Sequence, residues 1–260
     1  MSAPFAPPCR LAELTFPEAE QLLLHNPVVL LPMGSVEAHG PHLPLGTDSF
    51  LSESLAERTQ AALHRLGQVS VIAPTLSYAL THFASEFAGT VSLSAEAAVM
   101  QLRGVVLALL AAGFRRIGLV NSHLEPAHIA GIRQLVTEIT QSHGPVLAFP
   151  DQTAKRWART LSAEYKSGSC HAGSYETSLL LLARPELCRT EISHALPHNP
   201  SDFLAHVRAG ATTFGQAGGS RAYFGQPAAA SAVEGESQLA LLTTMVLVTL
   251  HETLGTPYAP

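Results

Sequence analysis

The chain has 260 residues, 47% of them hydrophobic and 13% charged, with a formal net charge of −5. That length and apolar content can fill one large core, so residues 1–260 read as a single domain. Fifteen Lys+Arg with no basic run exclude the electrostatic footprint of a nucleic-acid or anionic-membrane binder, which leaves small molecules as the expected partners.

The start, MSAPFAPPCRLAEL, has neither the basic opening nor the apolar core of a signal peptide, and the longest apolar runs are too short to span a bilayer. A soluble, cytoplasmic protein is expected. Cys9, Cys170 and Cys188 are odd in number and form no CxxC pair, so they read as reduced thiols. Pro17 with Glu18 opens an amphipathic helix to about His25, and PVVLLPM (27–33) is a continuous apolar run, the mark of a strand buried on both faces. A helix follows over 48–67 and stops at Gly67. VSVIAPTL (69–76) is a second buried strand, and 94–113 is a helix capped by Ser94 and ended by Gly113. RIGLVNS (116–122) reads as a third strand, 127 to about 142 as a helix, PVLAFP (145–150) as a fourth strand, and ETSLLLLARPEL as a helix stopped near Pro185. From Glu191 to about Gly235 the text is rich in Gly, Pro, Ala and His and reads as a loop-rich cap, followed by a long helix over 235–255. Strands alternating with helices predict an α/β fold, a three-layer sandwich with a mostly parallel central sheet.

Ligands of such sheets bind beyond the carboxyl ends of the strands. Glu37 and His39 follow the first strand, and His123 and Glu125 follow the third. In extended chain, residues two apart share a face, so each pair presents an acid and an imidazole together. Asp48 opens the next helix, where amides and dipole favour an ionised carboxylate, and it is placed to bridge the two pairs. Two divalent ions carry +4; Glu37, Asp48 and Glu125 with a bridging hydroxide carry −4. Without metal, three clustered carboxylates would instead raise one another's pKa. Mixed imidazole and carboxylate donors suit Zn best, with Mn or Fe possible, rather than calcium. Gly34, Gly40 and Gly46 permit the tight path that returns Asp48 to Glu37 and His39. His42 reads equally as a neighbour of the ligands, a substrate contact or an ordinary loop histidine. Cys170 beside His171 does not make a nucleophilic pair, since sequence neighbours point apart, and no GxSxG, GxGxxG or P-loop is present.

The ordered strings GSVEAHGPHLPLGTD, NSHLE and HAGSYETS resemble the three motifs of the creatininase family of amidohydrolases, over about residues 28–183. The resemblance implies an α/β fold, a dinuclear metal site and a homo-oligomer, commonly a hexamer. It implies one ion on Glu37 and His123, the other on His39 and Glu125, and Asp48 between them. By the same resemblance His171 moves the proton and Glu176 stands behind the ligands. The implied activity is hydrolysis of a non-peptide or small C–N amide bond by a metal-bound hydroxide. Rival substrates are lactams, formamides and short peptides to be trimmed; the rival outside the enzymes is metal binding without turnover. Two departures bear on substrate. Where the family motif leads one to expect a tryptophan shortly before the histidine, this chain reads EYKSGSCHAG, and its one tryptophan is Trp157; around FAGT, Phe83 and Ala84 replace an acid and histidine pair.

Overall fold

The computed structural model describes residues 5–258. Thr15 and Glu18 cap each other's backbone and start α1 (Phe16–Leu23), after which the chain enters β1 (Val28–Met33), buried at every position. α2 (Thr47–Arg65), β2 (Ser70–Ile72), α3 (Ala95–Ala111), β3 (Ile117–Asn121), α4 (Pro126–His143) and β4 (Leu147–Ala148) complete an all-parallel sheet of order β2-β1-β3-β4. The expected second and fourth strands exist but are shorter than read, because Pro74 and Pro150 lack the amide a ladder needs.

Side chains alternate across the sheet as period two requires. Val28, Leu30, Ile72 and Val120 face one core; Val29, Leu31, Val71, Ile117 and Leu119 face the other. The second core is closed by α3 and α4 through residues such as Leu102, Val106, Ile132 and Leu135. The first is closed by α2, by α7 (Ser174–Ala183) and by α10 (Ala232–Leu254). α10 lies so close to α7 that a Cβ at Gly235 would stand 2.1 Å from the Ser178 carbonyl oxygen. Three layers result, as the sequence predicts.

Between β4 and α7 the chain makes two short helices, α5 (Lys155–Ala158) and α6 (Ala163–Ser167). The segment read as a loop-rich cap contains α8 (Thr190–Ala195) and α9 (Phe203–Arg208), and α10 begins at Ala232 behind a Ser231 cap. The cap has a small core of its own, in which Phe214, Ala217, Ala222 and Phe224 pack with Ala38 and Ala84. Among the described residues no helix is long and apolar enough to cross a membrane.

Candidate active site

β1 and β3 are neighbours whose last residues, Met33 and Asn121, are paired in register, so the loops that follow leave the sheet side by side. The chain's path turns here too: β1 leads outward to β2, and β3 returns to the other side of β1. This is the switch point at which parallel sheets open a crevice. The two acid and imidazole pairs lie in it. Asp48 sits in the first turn of α2, brought in because that turn crosses Gly34; a Cβ there would lie 2.3 Å from the Ser49 amide nitrogen.

Glu37, His39, Asp48, His123 and Glu176 are all buried. His123 Nδ1 lies 3.0 Å from both Glu37 Oε2 and Asp48 Oδ2. His39 Nε2 lies 3.2 Å from Asp48 Oδ1 and 3.7 Å from Glu176 Oε2. Asp48 therefore turns one oxygen to His39 and the other to His123. The partner of His39 differs from the expected one. Glu125, which the resemblance pairs with His39, is held by the Phe83 amide at 3.3 Å, while Glu176 reaches His39 from the first turn of α7.

The tautomers follow from the carbonyls behind the rings. His39 Nδ1 donates to the Glu37 carbonyl at 3.0 Å, and His123 Nε2 donates to the Leu80 carbonyl at 2.7 Å. A carbonyl only accepts, so these nitrogens carry the protons and the opposite nitrogens aim lone pairs at carboxylate oxygens. Ser35 Oγ lies 3.0 Å from Glu37 Oε2 and 2.8 Å from Asp48 Oδ2, and its single proton satisfies one of them. Acceptors face acceptors unless cations lie between them.

With protons as those cations, burial opposes charge throughout, but attraction wins in the paired groups. Asp48 and Glu176 outweigh burial and lift His39 to about 10; His123 is raised by Glu37 and Asp48. His123 in turn holds Glu37 near 2, and both imidazoles hold Asp48 below the ordinary carboxylate range. Burial dominates the rest. It lifts Glu176 to about 8 and Glu125 to about 7, and lowers His171 to about 4 with help from charged His39.

His171 Nε2 donates to the Ala38 carbonyl at 2.9 Å, its Nδ1 faces Glu176 Oε2 at 3.9 Å, and its ring lies on Phe214 with centroids 4.3 Å apart. Its ring nitrogens are also close enough to His39 and Glu176 for the three to share an ion. His42 lies outside the cavity. Its Nε2 meets Thr177 Oγ1 at 2.9 Å and its ring packs edge-on to Tyr223, which ties the 34–46 loop to α7.

Above the cluster opens a cavity of about 520 Å³ whose walls are mainly apolar, with Phe83, Phe203, Phe214 and Tyr165 among them. The sequence reading missed this aromatic wall, because two of its members come from the cap, where no periodicity marks them. Trp157 does not line the cavity; it packs at the edge of the main core under Arg156. Asn121 was missed as well, although it stands within NSHLE: its Nδ2 donates to the His123 carbonyl at 2.6 Å and so fixes the imidazole loop.

Ionisable groups nested under an apolar cavity at the switch point of a parallel sheet have the make-up of an enzyme active site. The creatininase family model, described as creatinine amidohydrolase, matches residues 12–250. The mycofactocin precursor peptide peptidase of Mycobacterium ulcerans is 31% identical over 233 residues, covering 86% of this chain and 85% of its own. The creatinine amidohydrolase of Pseudomonas putida is 25% identical over 211 residues, covering 74% and 78%. A crystal structure of creatinine amidohydrolase superposes with a TM-score of 0.75 at 21% identity, covering 98% of this chain and all of that one. The chain belongs to the creatininase family of amidohydrolases.

Proposed function

We propose that the chain is a metal-dependent amidohydrolase that cuts an amide bond in a short peptide or similarly sized amide. The observation that carries this reading is the meeting of imidazole lone pairs with carboxylate oxygens in a buried site, a donor set that fits divalent cations. Glu37, Asp48 and His123 would hold one ion, and His39, Asp48 and Glu176 a second, each imidazole being oriented by the carbonyl behind it. The donors suit Zn, Mn or Fe; structures of related creatininases are described as Zn-Zn and Mn forms. Such ions, when bound, polarise a carbonyl and lower the pKa of water toward neutrality.

The chain's own groups account for the remaining needs. The phenylalanine wall excludes water and buries an apolar part of the substrate. His171, neutral at pH 7 with its Nε2 proton held by the Ala38 carbonyl, borders the cavity, and its free Nδ1 can take a proton from the attacking water and hand that proton on to the leaving nitrogen. Glu125, lifted to about 7, is the second group able to hold or release a proton there at neutral pH. A short peptide is favoured over creatinine on two grounds: the peptidase relatives share more identity with this chain, and no tryptophan narrows the cavity.

The same reading takes residues 1–260 as one catalytic domain. It takes the protein as a cytoplasmic homo-oligomer, supported by three free thiols and by Met100 and Leu107 exposed on α3. The test is a hydrolysis screen of creatinine, formamides and short peptides with added Mn or Zn, repeated after chelation. Peptide turnover that chelation abolishes is expected. A creatinine kcat/KM above about 10⁴ M⁻¹s⁻¹ with inert peptides overturns the substrate assignment. Two bound ions with no turnover of any amide favour metal binding without catalysis.

A further inference from the structure

The chain contains only two lysines, Lys155 and Lys166, and both line the mouth of the active-site cavity. Arg133 and Arg159 line it as well. In a protein of net charge −5, with 20 acids against 15 Lys+Arg, four cations around one opening are a local concentration of positive charge. The acids on the cavity lie at its buried floor, whereas these four side chains are exposed and ring the solvent end. Arg133 is engaged, its Nε donating to Asp151 at 2.7 Å and its Nη2 to Thr153. Lys155, Arg159 and Lys166 have no acidic partner among the described residues. Elsewhere on the surface Arg10 pairs with Glu57, Arg58 with Glu236, Arg103 with Glu138 and Arg156 with Glu252, while Arg65, Arg208 and Arg221 stand singly; what sets Lys155, Arg159 and Lys166 apart is that three such cations line one opening. Arg156, the neighbour of Lys155, turns away to α10, so α5 sends one cation outward and one to the cavity.

Unpaired cations at the solvent end and phenylalanines between them and the floor describe a ligand in sections: an amide at the floor, an apolar body, and an anion at the mouth. We propose that Lys155, Arg159 and Lys166 form a carboxylate subsite, and that the substrate is an amide whose far end carries a free carboxylate, as the C-terminus of a short peptide does. The inference rests on the amidohydrolase reading, which puts bond cleavage at the floor. A carboxylate fits better than a diffuse polyanion, because three separate cations surround one opening and no basic stripe continues over the surface. The contribution comes from exposed pairs and weakens with salt.

Calorimetry and kinetics on the metal-loaded enzyme test this with three probes: Ac-Ala-Phe-Ala as the free acid, the same peptide as its C-terminal amide, and an amidated analogue ending in phosphoserine. The acid is expected to bind roughly tenfold more tightly than the amide, the effect of two exposed pairs near the upper end of their ordinary strength. In Lys155→Gln/Lys166→Gln the gap should shrink to about threefold or less, what one remaining exposed pair with Arg159 supplies, whereas Arg58→Gln, whose side chain pairs with Glu236 on α10, keeps the gap. Equal binding of acid and amide overturns the subsite, as does an undiminished gap in the double variant. Tighter binding of the phosphoserine peptide than of the acid also overturns it, by making phosphate the preferred anion. Calorimetry reads the subsite apart from catalysis. A tight acid that is never hydrolysed keeps the subsite and sinks the peptide reading; equal binding with metal-dependent hydrolysis does the reverse.

Discussion

The floor and the rim of the cavity are built in opposite ways. At the floor, carboxylates and imidazoles are buried, the rings of His39 and His123 are each fixed through a main-chain carbonyl, and the loops spring from two registered strands. At the rim, exposed cations stand on α5 and α6, helices of four and five residues, and phenylalanines arrive from a cap without repeating pattern. On the proposed function, the sheet sets the chemistry and the short elements choose the substrate. A family built this way can keep its reaction while exchanging what it acts on.

The sharpest way to break this division is at the shared carboxylate. Asp48→Ala should leave fewer than one ion per chain by elemental analysis and lower turnover by about 10³-fold or more, equivalent to roughly 4 kcal/mol of barrier. Two ions retained at saturating metal would disprove the bridging role. His171→Ala separates proton transfer from metal binding: full metal content with turnover reduced by roughly 10²- to 10⁴-fold is expected. Loss of metal in that variant would make His171 a ligand, which its approach to His39 and Glu176 permits.

Phe214→Ala tests the wall. Phe214 is 3% exposed and stacks on His171, so its removal should raise KM about tenfold and destabilise the fold by about 3 kcal/mol, the low end for a buried phenylalanine. An unchanged KM would show that the wall does not touch substrate. The smallest effect concerns pH. Burial keeps His42 neutral down to about 4 and His128 down to about 3. The unfolded chain protonates them near 6.5, so below that pH it binds more protons than the fold and stability falls as pH drops toward 4. Urea midpoints at pH 7.5 and 5 should fall less in His42→Gln than in the parent, and equal falls would show that His42 does not supply this sensitivity.

What could be read in advance was whatever the backbone period or the register enforces. The two-faced burial of β1, the helix starts at Ser94 and Pro17, and the convergence of Glu37, Asp48 and His123 are local patterns that the sheet merely brings together. The partner of His39 was not legible. Glu125 and Glu176 both lie near the switch point, and the choice between them depends on the Phe83 amide holding one and α7 aiming the other. Phe203 and Phe214 were hidden for the same reason, since only the cap's tertiary path makes them a wall. The lysines were visible as letters, but their shared destination was not.

The contact at Gly235 gives the C-terminal helix an influence out of proportion to its chemistry. α10 supplies none of the clustered acids and imidazoles, yet its backbone rests on the carbonyl of Ser178, two residues beyond Glu176. Any larger residue at 235 must force α7 and α10 apart, and that displacement begins two residues from the carboxylate that lies 3.7 Å from His39. Amide exchange should find α7 and α10 opening together as one cooperative unit. A fragment ending before Ser231 would keep every acid and histidine of the centre while having lost the abutment that holds one of them in place.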